Sequence, residues 1–284
     1  MYSSTADYYN HFFRDHVTAS TPDRRFDDAL KWAAVSIEQS KIAQPEGSGL
    51  AGGWFTSGDS ARPGFGWFFG RDTLWTLYAV NSYGNFKLSR EAMDFLLSHQ
   101  RKDGKMMHEY SQIAGSVDWT HLPYLYASAN STLLFVMQME DYVRSSGDID
   151  YLKRHWDDVK RAYAFTRTHT SGGAYDNSQG TGWVEEWVPR MPYQEIYLVA
   201  LDQQSSDAMA VMAHWMNDET VSASAASTGM SLRGILANYR GSGPTYAFSR
   251  NVDGSLEQVP SIFPSVAWWN GREALPDAGP MFEA

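Results

Sequence analysis

The chain contains no cysteine, so disulfides and thiolate metal sites are excluded. Cations are scarce: 23 Lys and Arg stand against 33 Asp and Glu, for a net charge of −10. That balance argues against a nucleic-acid or anionic-membrane surface and suits a neutral ligand. No apolar run approaches the roughly 20 residues that a membrane span needs. Met1 to Arg14 lack the basic start and apolar stretch of a secretion signal, which leaves the compartment open and leans towards the cytoplasm. His99, His108, His121, His155, His169 and His214 show no tight metal-ligand spacing, and no His-Glu-x-x-His occurs, so no metal or other cofactor is expected. Serine-centred nucleophile elbows and phosphate-cradling glycine loops are absent too. No β-alternation is long enough for a sheet, which makes the expected class all-α.

What the chain has in quantity is aromatic rings, 14% of its residues, with 11 Trp and 16 Tyr. Many fall in connections rich in glycine and proline: Trp54, Phe55, Phe65, Trp67, Phe68, Phe69, Trp119, Tyr124, Tyr126, Trp183, Trp187 and Tyr193. Rings so placed either line a cleft or pack loops onto helices.

At 284 residues and 43% hydrophobic, the chain can bury a sizeable core in one large domain or two small ones. Residues 1–22 read as a lead-in and 23–284 as a helical-hairpin domain. The first helical stretch runs from Asp23, with Phe26, Ala29, Leu30, Ala33 and Ile37 on its apolar stripe, and ends before Pro45. Further helices are expected near Arg71, from about Ser89 as an N-cap, and over Ser128–Ser145. Ile149, Leu152, Trp156, Val159 and Tyr163 then give the strongest helical pattern in the chain. Tyr193–Met216, Thr220–Tyr239 and a short piece within 259–269 complete the set. Met209, Met212 and Met216 read as core, and Asp202, Asp207 and Asp218 as a solvated helix face.

Residues 45–70, 104–127 and 172–192 read as long connections, which in compact domains are usually functional. Paired helices with alternating short and long connections suit hairpins stacked around a ring, with the long loops on one rim. That arrangement would bring the loops carrying Arg71-Asp72 and Glu185-Glu186 together.

Two stretches carry chemistry. In Gly182-Trp183-Val184-Glu185-Glu186-Trp187, adjacent carboxylates sit between two indoles. Neighbouring acids in apolar surroundings tend to keep one proton, which is what a general acid needs, and Trp faces stack on sugar rings. The plainer reading is an exposed acidic turn with two half-buried rings. In Trp67-Phe68-Phe69-Gly70-Arg71-Asp72-Thr73, an Arg-Asp pair opens a helix after three aromatics. Such a pair can donate to and accept from sugar hydroxyls, or it can be a capped helix with a local ion pair.

Gly70-Arg71-Asp72-Thr73-Leu74-Trp75 after an aromatic run resembles the Arg-Asp segment of the six-hairpin glycosidases, the clan of glucoamylases and amylo-1,6-glucosidases of glycogen debranching. Thr181-Gly182-Trp183-Val184-Glu185-Glu186-Trp187 is similar to the glucoamylase segment whose first glutamate is the general acid. Pro192-Tyr193-Gln194-Glu195-Ile196 looks like the helix start that follows the acid loop. Tyr126 to Asp141, Ser146-Gly147-Asp148 and His155-Trp156 match the middle helices.

The resemblance implies an (α/α)6 barrel, inverting hydrolysis of α-glucosidic bonds, a carbohydrate substrate and no metal. Carried across, Glu185 is the general acid. Glu186, Arg71, Asp72 and Glu195 hold the sugar, and Trp183, Trp67 and Trp54 are stacking candidates. Two departures stand out. Asn130 occupies a place where related sequences more often have Asp. A full ring of twelve helices also needs more chain, and past Glu273 only Asp277 and Glu283 could act as base, neither in a matching motif, so the chain reads as an incomplete or truncated barrel. The alternatives are an incomplete barrel that binds carbohydrate without cleaving it, or a helical-toroid epimerase or lyase, for which His108 and His121 are the candidates. Oligomeric state is left open.

Overall fold

The computed structural model describes residues 2–53, 66–112, 114, 118–183, 191–241, 245–271 and 274–275. Among these, eight α-helices dominate: α1 (Tyr2–Asp15), α2 (Arg24–Gln39), α3 (Gly70–Ser82), α4 (Phe86–Ser98), α5 (Asn130–Ser146), α6 (Ile149–Arg167), α7 (Ile196–Trp215) and α8 (Glu219–Ala237). A 3-10 helix spans Phe263–Gly271. The described strands have at most four residues, so the all-α expectation holds. None of the described helices is long and apolar enough to cross a membrane.

The chain divides into two compact units: Met1–Gln100, His108–Leu125 and Asp141–Tyr151 form the first, and Arg101–Met107, Tyr126–Glu140 and Leu152–Ala284 the second. In the first unit the core is built on α3 and α4, where Leu74, Leu77, Val80, Ala92, Met93 and Leu96 are buried. Strands β1 (Lys41–Gln44) and β2 (Gly47–Leu50) form an antiparallel hairpin. β3 (Phe68–Phe69) pairs antiparallel with β4 (Glu109–Tyr110). The stretch read as a lead-in contains α1.

Asn85, not Ser89, caps α4: its side chain accepts from Leu88 N, at 3.2 Å. Ser89 lies inside the helix, buried, and donates to Asn81 Oδ1 at 2.6 Å. The apolar stripe expected for α2 forms a helix but stays outside, with Phe26 54% and Leu30 44% exposed and only Val35 buried.

In the second unit, β5 (Thr170–Ser171) and β6 (Ala174–Tyr175) form a hairpin. β7 (Gln194–Glu195), β8 (Ser249–Arg250) and β9 (Leu256–Glu257) form a small sheet in the order β7-β8-β9. β7 takes the residues expected to open a helix, so α7 starts at Ile196, whose N–H donates to Phe248 O at 3.0 Å. α7 packs along α8; Met209 and Met212 are core as expected, whereas Met216, at the C-cap of α7, is half-buried.

The solvated-face reading of three aspartates is corrected. Asp202 is fully buried, paired with Arg167, and accepts from Tyr175 N at 3.0 Å. Asp207 pairs with Arg233 at 2.5 Å, and Asp218 caps α8 by accepting from Val221 N at 3.2 Å. For Asp202 and Asp207 the reason is that the β5–β6 hairpin and α8 pack against α7 there, which helical periodicity alone does not reveal.

Candidate functional site

In the first unit, the β3–β4 ladder and the Gly70 N–H to His108 O bond, 2.7 Å, fix where α3 begins. That start puts Arg71 and Asp72 in the first turn, where the helix N-terminus favours an anionic side chain. Arg71 Nε lies 3.6 Å from Asp72 Oδ2; the guanidinium is mostly covered and the carboxylate half exposed. Trp67 stacks on Phe69, with centroids 6.4 Å apart, and meets Trp119 edge-on at 4.9 Å. Trp119 Nε1 donates to Glu109 O at 3.1 Å, which ties this ring pair to β4. Trp67, Arg71 and Asp72 therefore sit on consecutive parts of one rigid corner.

His108 is buried with its Nε2 3.9 Å from Glu109 Oε2. His121 is exposed and paired with Asp118 at 2.6 Å, and that hydrogen bond raises its pKa. One ring is in the core and the other in solvent, which gives no footing to paired-histidine chemistry.

In the second unit, residues 179–183 lie in a cradle. Lys105 Nζ donates to Gln179 O at 2.6 Å. Gly180 adopts φ +125°, and any Cβ there would enter the Ala127 carbonyl. Thr181 N donates to Ala127 O and Ala129 N to Thr181 O, both at 2.8 Å. Asn130 is fully buried; its amide donates to Gly182 O at 2.9 Å and to Tyr197 Oη at 3.2 Å, while its oxygen accepts from Ser128 Oγ at 2.5 Å. Glu195 is fully buried beside Gly182, and a methyl group on that glycine would fall 2.6 Å from the Glu195 Cδ.

The cradle delivers Trp183 into an aromatic cluster. Its ring stacks on Phe263 at 5.6 Å with planes 9° apart, meets Trp269 edge-on at 5.1 Å and tilts against Tyr197 at 5.4 Å. Phe248 extends the cluster, 5.3 Å from Phe263. So Gly182, the residue before Trp183, packs against the Glu195 side chain. Glu185, Glu186 and Trp54 lie outside the described residues. No group of three or more potential metal ligands is present among the described residues.

Asn130 was noticeable in the sequence only as an unusual residue. Its place in the cradle explains the choice: an amide can donate to the Gly182 carbonyl, whereas a carboxylate would face that oxygen with like charge. Asn130→Asp is expected to cost about 2–3 kcal/mol, from a lost buried hydrogen bond and an uncompensated charge, read from urea unfolding. Asn177 was missed entirely. The only signal was the run Asp176-Asn177-Ser178, three residue types that favour caps and turns. Asp176 caps this turn by accepting from Ser178 N at 2.9 Å, and Asn177 Oδ1 accepts from Glu195 N at 3.1 Å.

Lys105 carries a pH signature. Burial lowers its amine pKa from 10.5 to about 8. Between pH 8 and 10 the unfolded chain holds this proton more tightly than the folded one, so stability rises with pH in that window. The expected gain is on the order of 2 kcal/mol. Above pH 10, buried Tyr175 and Tyr239, whose pKa values burial raises, reverse the trend. Urea unfolding at pH 7.5 and 9.5 should show the rise in wild type and a flatter response in Lys105→Met.

No protein-family model matches the chain, and no curated protein does. Solved structures do. A rhamnosidase from Klebsiella oxytoca with rhamnose bound superposes with TM-score 0.61 at 13% identity, over 89% of this chain and 46% of that one. A glucoamylase from Saccharomycopsis fibuligera gives 0.57 at 13% identity, over 84% and 55%. A GH78 family rhamnosidase of Bacillus sp. GL1 gives 0.57 at 13% identity, over 73% and 21%. The chain thus spans about half the length of the first two and about a fifth of the third. At such identities the likeness speaks for the fold: the chain has the helical-hairpin architecture of the six-hairpin glycosidases.

Proposed function

We propose that this chain is a glycosidase-type domain that acts on α-glucosidic bonds of oligo- or polysaccharides with inversion. The observation that supports this most is the cradle on residues 179–183, which fixes the backbone immediately ahead of the two adjacent glutamates in a fold shared with glycosidases. Glu185, two residues after Trp183, is assigned as general acid. Glu186, Arg71, Asp72 and Glu195 are assigned to hold the sugar, and Trp183, Trp67 and Trp54 to stack on it.

In the reaction, the Glu185 proton passes to the glycosidic oxygen as the bond from that oxygen to the anomeric carbon breaks. Water adds its hydroxyl to the anomeric carbon from the opposite face and gives its other proton to a second carboxylate. In inverting enzymes that second group stands roughly 6.5–9.5 Å from the acid. Without it, the chain would bind sugar and leave it intact.

The test is a panel of α-linked gluco-oligosaccharides and α-rhamnosides, assayed for both sugar release and binding. Glucose release supports the proposal. Rhamnose release alone would move the substrate class, and binding without any release would identify an incomplete barrel that only binds.

A further inference from the structure

We propose that the trough between α1 and α2 in the first unit binds a small apolar carboxylate, with its hydrocarbon part along α2 and its charged end on Lys31. This site is separate from the carbohydrate reading above.

The trough is built on the apolar stripe of α2. Phe26, Ala29, Leu30, Ala33 and Ile37 recur at helical spacing, yet Val35 is the buried residue of this helix. α1 lies alongside and is held at two places. Tyr8 Oη donates to Glu38 Oε1. Further on, Val17 N donates to Tyr83 O at 2.9 Å, and the His16 ring meets the Tyr83 ring edge-on at 5.8 Å. Between these fastenings the gap is lined by Ala33 and Ala34 of α2 and Ala79 of α3, which are too small to close it.

A cavity of about 260 Å³ remains, lined among others by Phe13, His16, Leu30, Lys31, Ile37 and Tyr83. An apolar cavity of about 150 Å³ takes benzene, so this one has room for a ring with a short chain. Its walls are within reach of a ligand: Leu30 is 44% exposed, Val17 is 68% exposed, and Phe13, His16, Ile37 and Tyr83 are half-buried.

Charge selects the polar end of the ligand. Lys31 and His16 are among the lining residues and no Asp or Glu is, in a chain whose acids outnumber its Lys and Arg by 33 to 23. The acids on α2 do not neutralise this spot. Asp27 accepts from Thr21 N at 3.0 and 3.1 Å. Glu38 accepts from Tyr8 and, at 3.4 Å, from Asn85 Nδ2. Asp28, three residues before Lys31, is exposed and does not line the cavity. A cationic ligand is therefore disfavoured. A neutral polyol finds few partners, because the Tyr83 hydroxyl is buried and Ser82 Oγ already donates to Ala79 O at 2.7 Å. An anion with an apolar body covers the stripe and meets the lysine at once.

The experiment titrates the full chain with 3-phenylpropanoate, 3-phenylpropan-1-ol and 3-phenylpropylamine, which share a shape and differ in charge, and follows the ligand by ¹H NMR. Expected is a Kd of roughly 0.1–1 mM for the carboxylate, with weaker binding of the alcohol and the weakest of the amine. Lys31→Gln should lower the carboxylate affinity about 3- to 5-fold, as for one exposed charge pair, and leave the alcohol unchanged. Ala33→Trp, which places an indole in the trough, should abolish binding of both. Lys31 and Ala33 are exposed, so neither change disturbs the core. Equal affinity for all three ligands, a carboxylate affinity untouched by Lys31→Gln or by Ala33→Trp, or no carboxylate binding by about 10 mM overturns the proposal. Such a failure leaves the carbohydrate reading as it stands, because α1 and α2 carry none of the residues assigned to it.

Discussion

Glu185→Gln is expected to lower kcat on α-linked gluco-oligosaccharides by about 10²–10⁴-fold, the usual contribution of a positioned acid. The amide keeps the size of the side chain and loses the proton that the leaving oxygen needs. KM should change little, because the proposed function assigns the grip on the sugar to other groups. The loss should shrink for a glucosyl fluoride or a nitrophenyl glucoside, whose leaving groups depart with little protonation. A uniform loss across good and poor leaving groups would make Glu185 a binding residue. Full activity in Glu185→Gln would move the acid to Glu186 or Asp176. Glu186→Gln should instead raise KM more than it lowers kcat on an activated substrate.

The second large effect concerns stability. Arg167→Met should destabilise the fold by about 3–5 kcal/mol, the cost of stripping the partner from a buried charge. Asp202 is fully buried and, among the described residues, keeps the Tyr175 N–H as donor, at 3.0 Å, once the guanidinium is gone. Arg167 itself is mostly covered, with its guanidinium 5.3 Å from the centre of the Tyr163 ring, and burial lowers its pKa. Adding Asp202→Asn to Arg167→Met should recover most of the loss, because the asparagine oxygen can still accept from Tyr175 N while no charge remains. Urea unfolding of the two single variants and the double one gives the coupling directly. A loss under about 1 kcal/mol for Arg167→Met would mean that the pair is solvated, as surface pairs are. The consequence is not only global. The Asp202–Tyr175 contact pins β6 one residue ahead of Asp176 and two ahead of Asn177, so a loosened pair should also loosen the Glu195 N–H to Asn177 Oδ1 bond.

The helix α6 was legible because its core is one-sided. Leu152, Val159 and Tyr163 of α6 recur at helical spacing and are all buried. The Gly147-Asp148 punctuation before it matches a turn in which Gly147 takes φ +75°. Short strand pairs were not legible. β3, β4, β7 and β8 have two residues each, too few for alternation to register. Yet they decide where α3 and α7 begin, and so where Arg71, Asp72 and Glu195 stand. The start of α4 was misplaced because serine and asparagine are both good caps, and only the structure shows that Asn85 meets the Leu88 N–H.

For the site, residue type carried further than position. The Arg71-Asp72 pair and the Gly182-Trp183 segment could be picked out from chemistry alone. Their support could not: Lys105, Asn130 and Gly180 are ordinary residues in a sequence and become a cradle only when three distant segments meet. Asp202 was misread for the same cause, since the hairpin that buries it lies outside its own helix.

The central claim is tested most directly by ¹H NMR of the sugar that wild-type protein releases from maltohexaose, recorded before mutarotation. β-Glucose as the first product is the predicted result. α-Glucose as the first product, or no glucose at all, contradicts it.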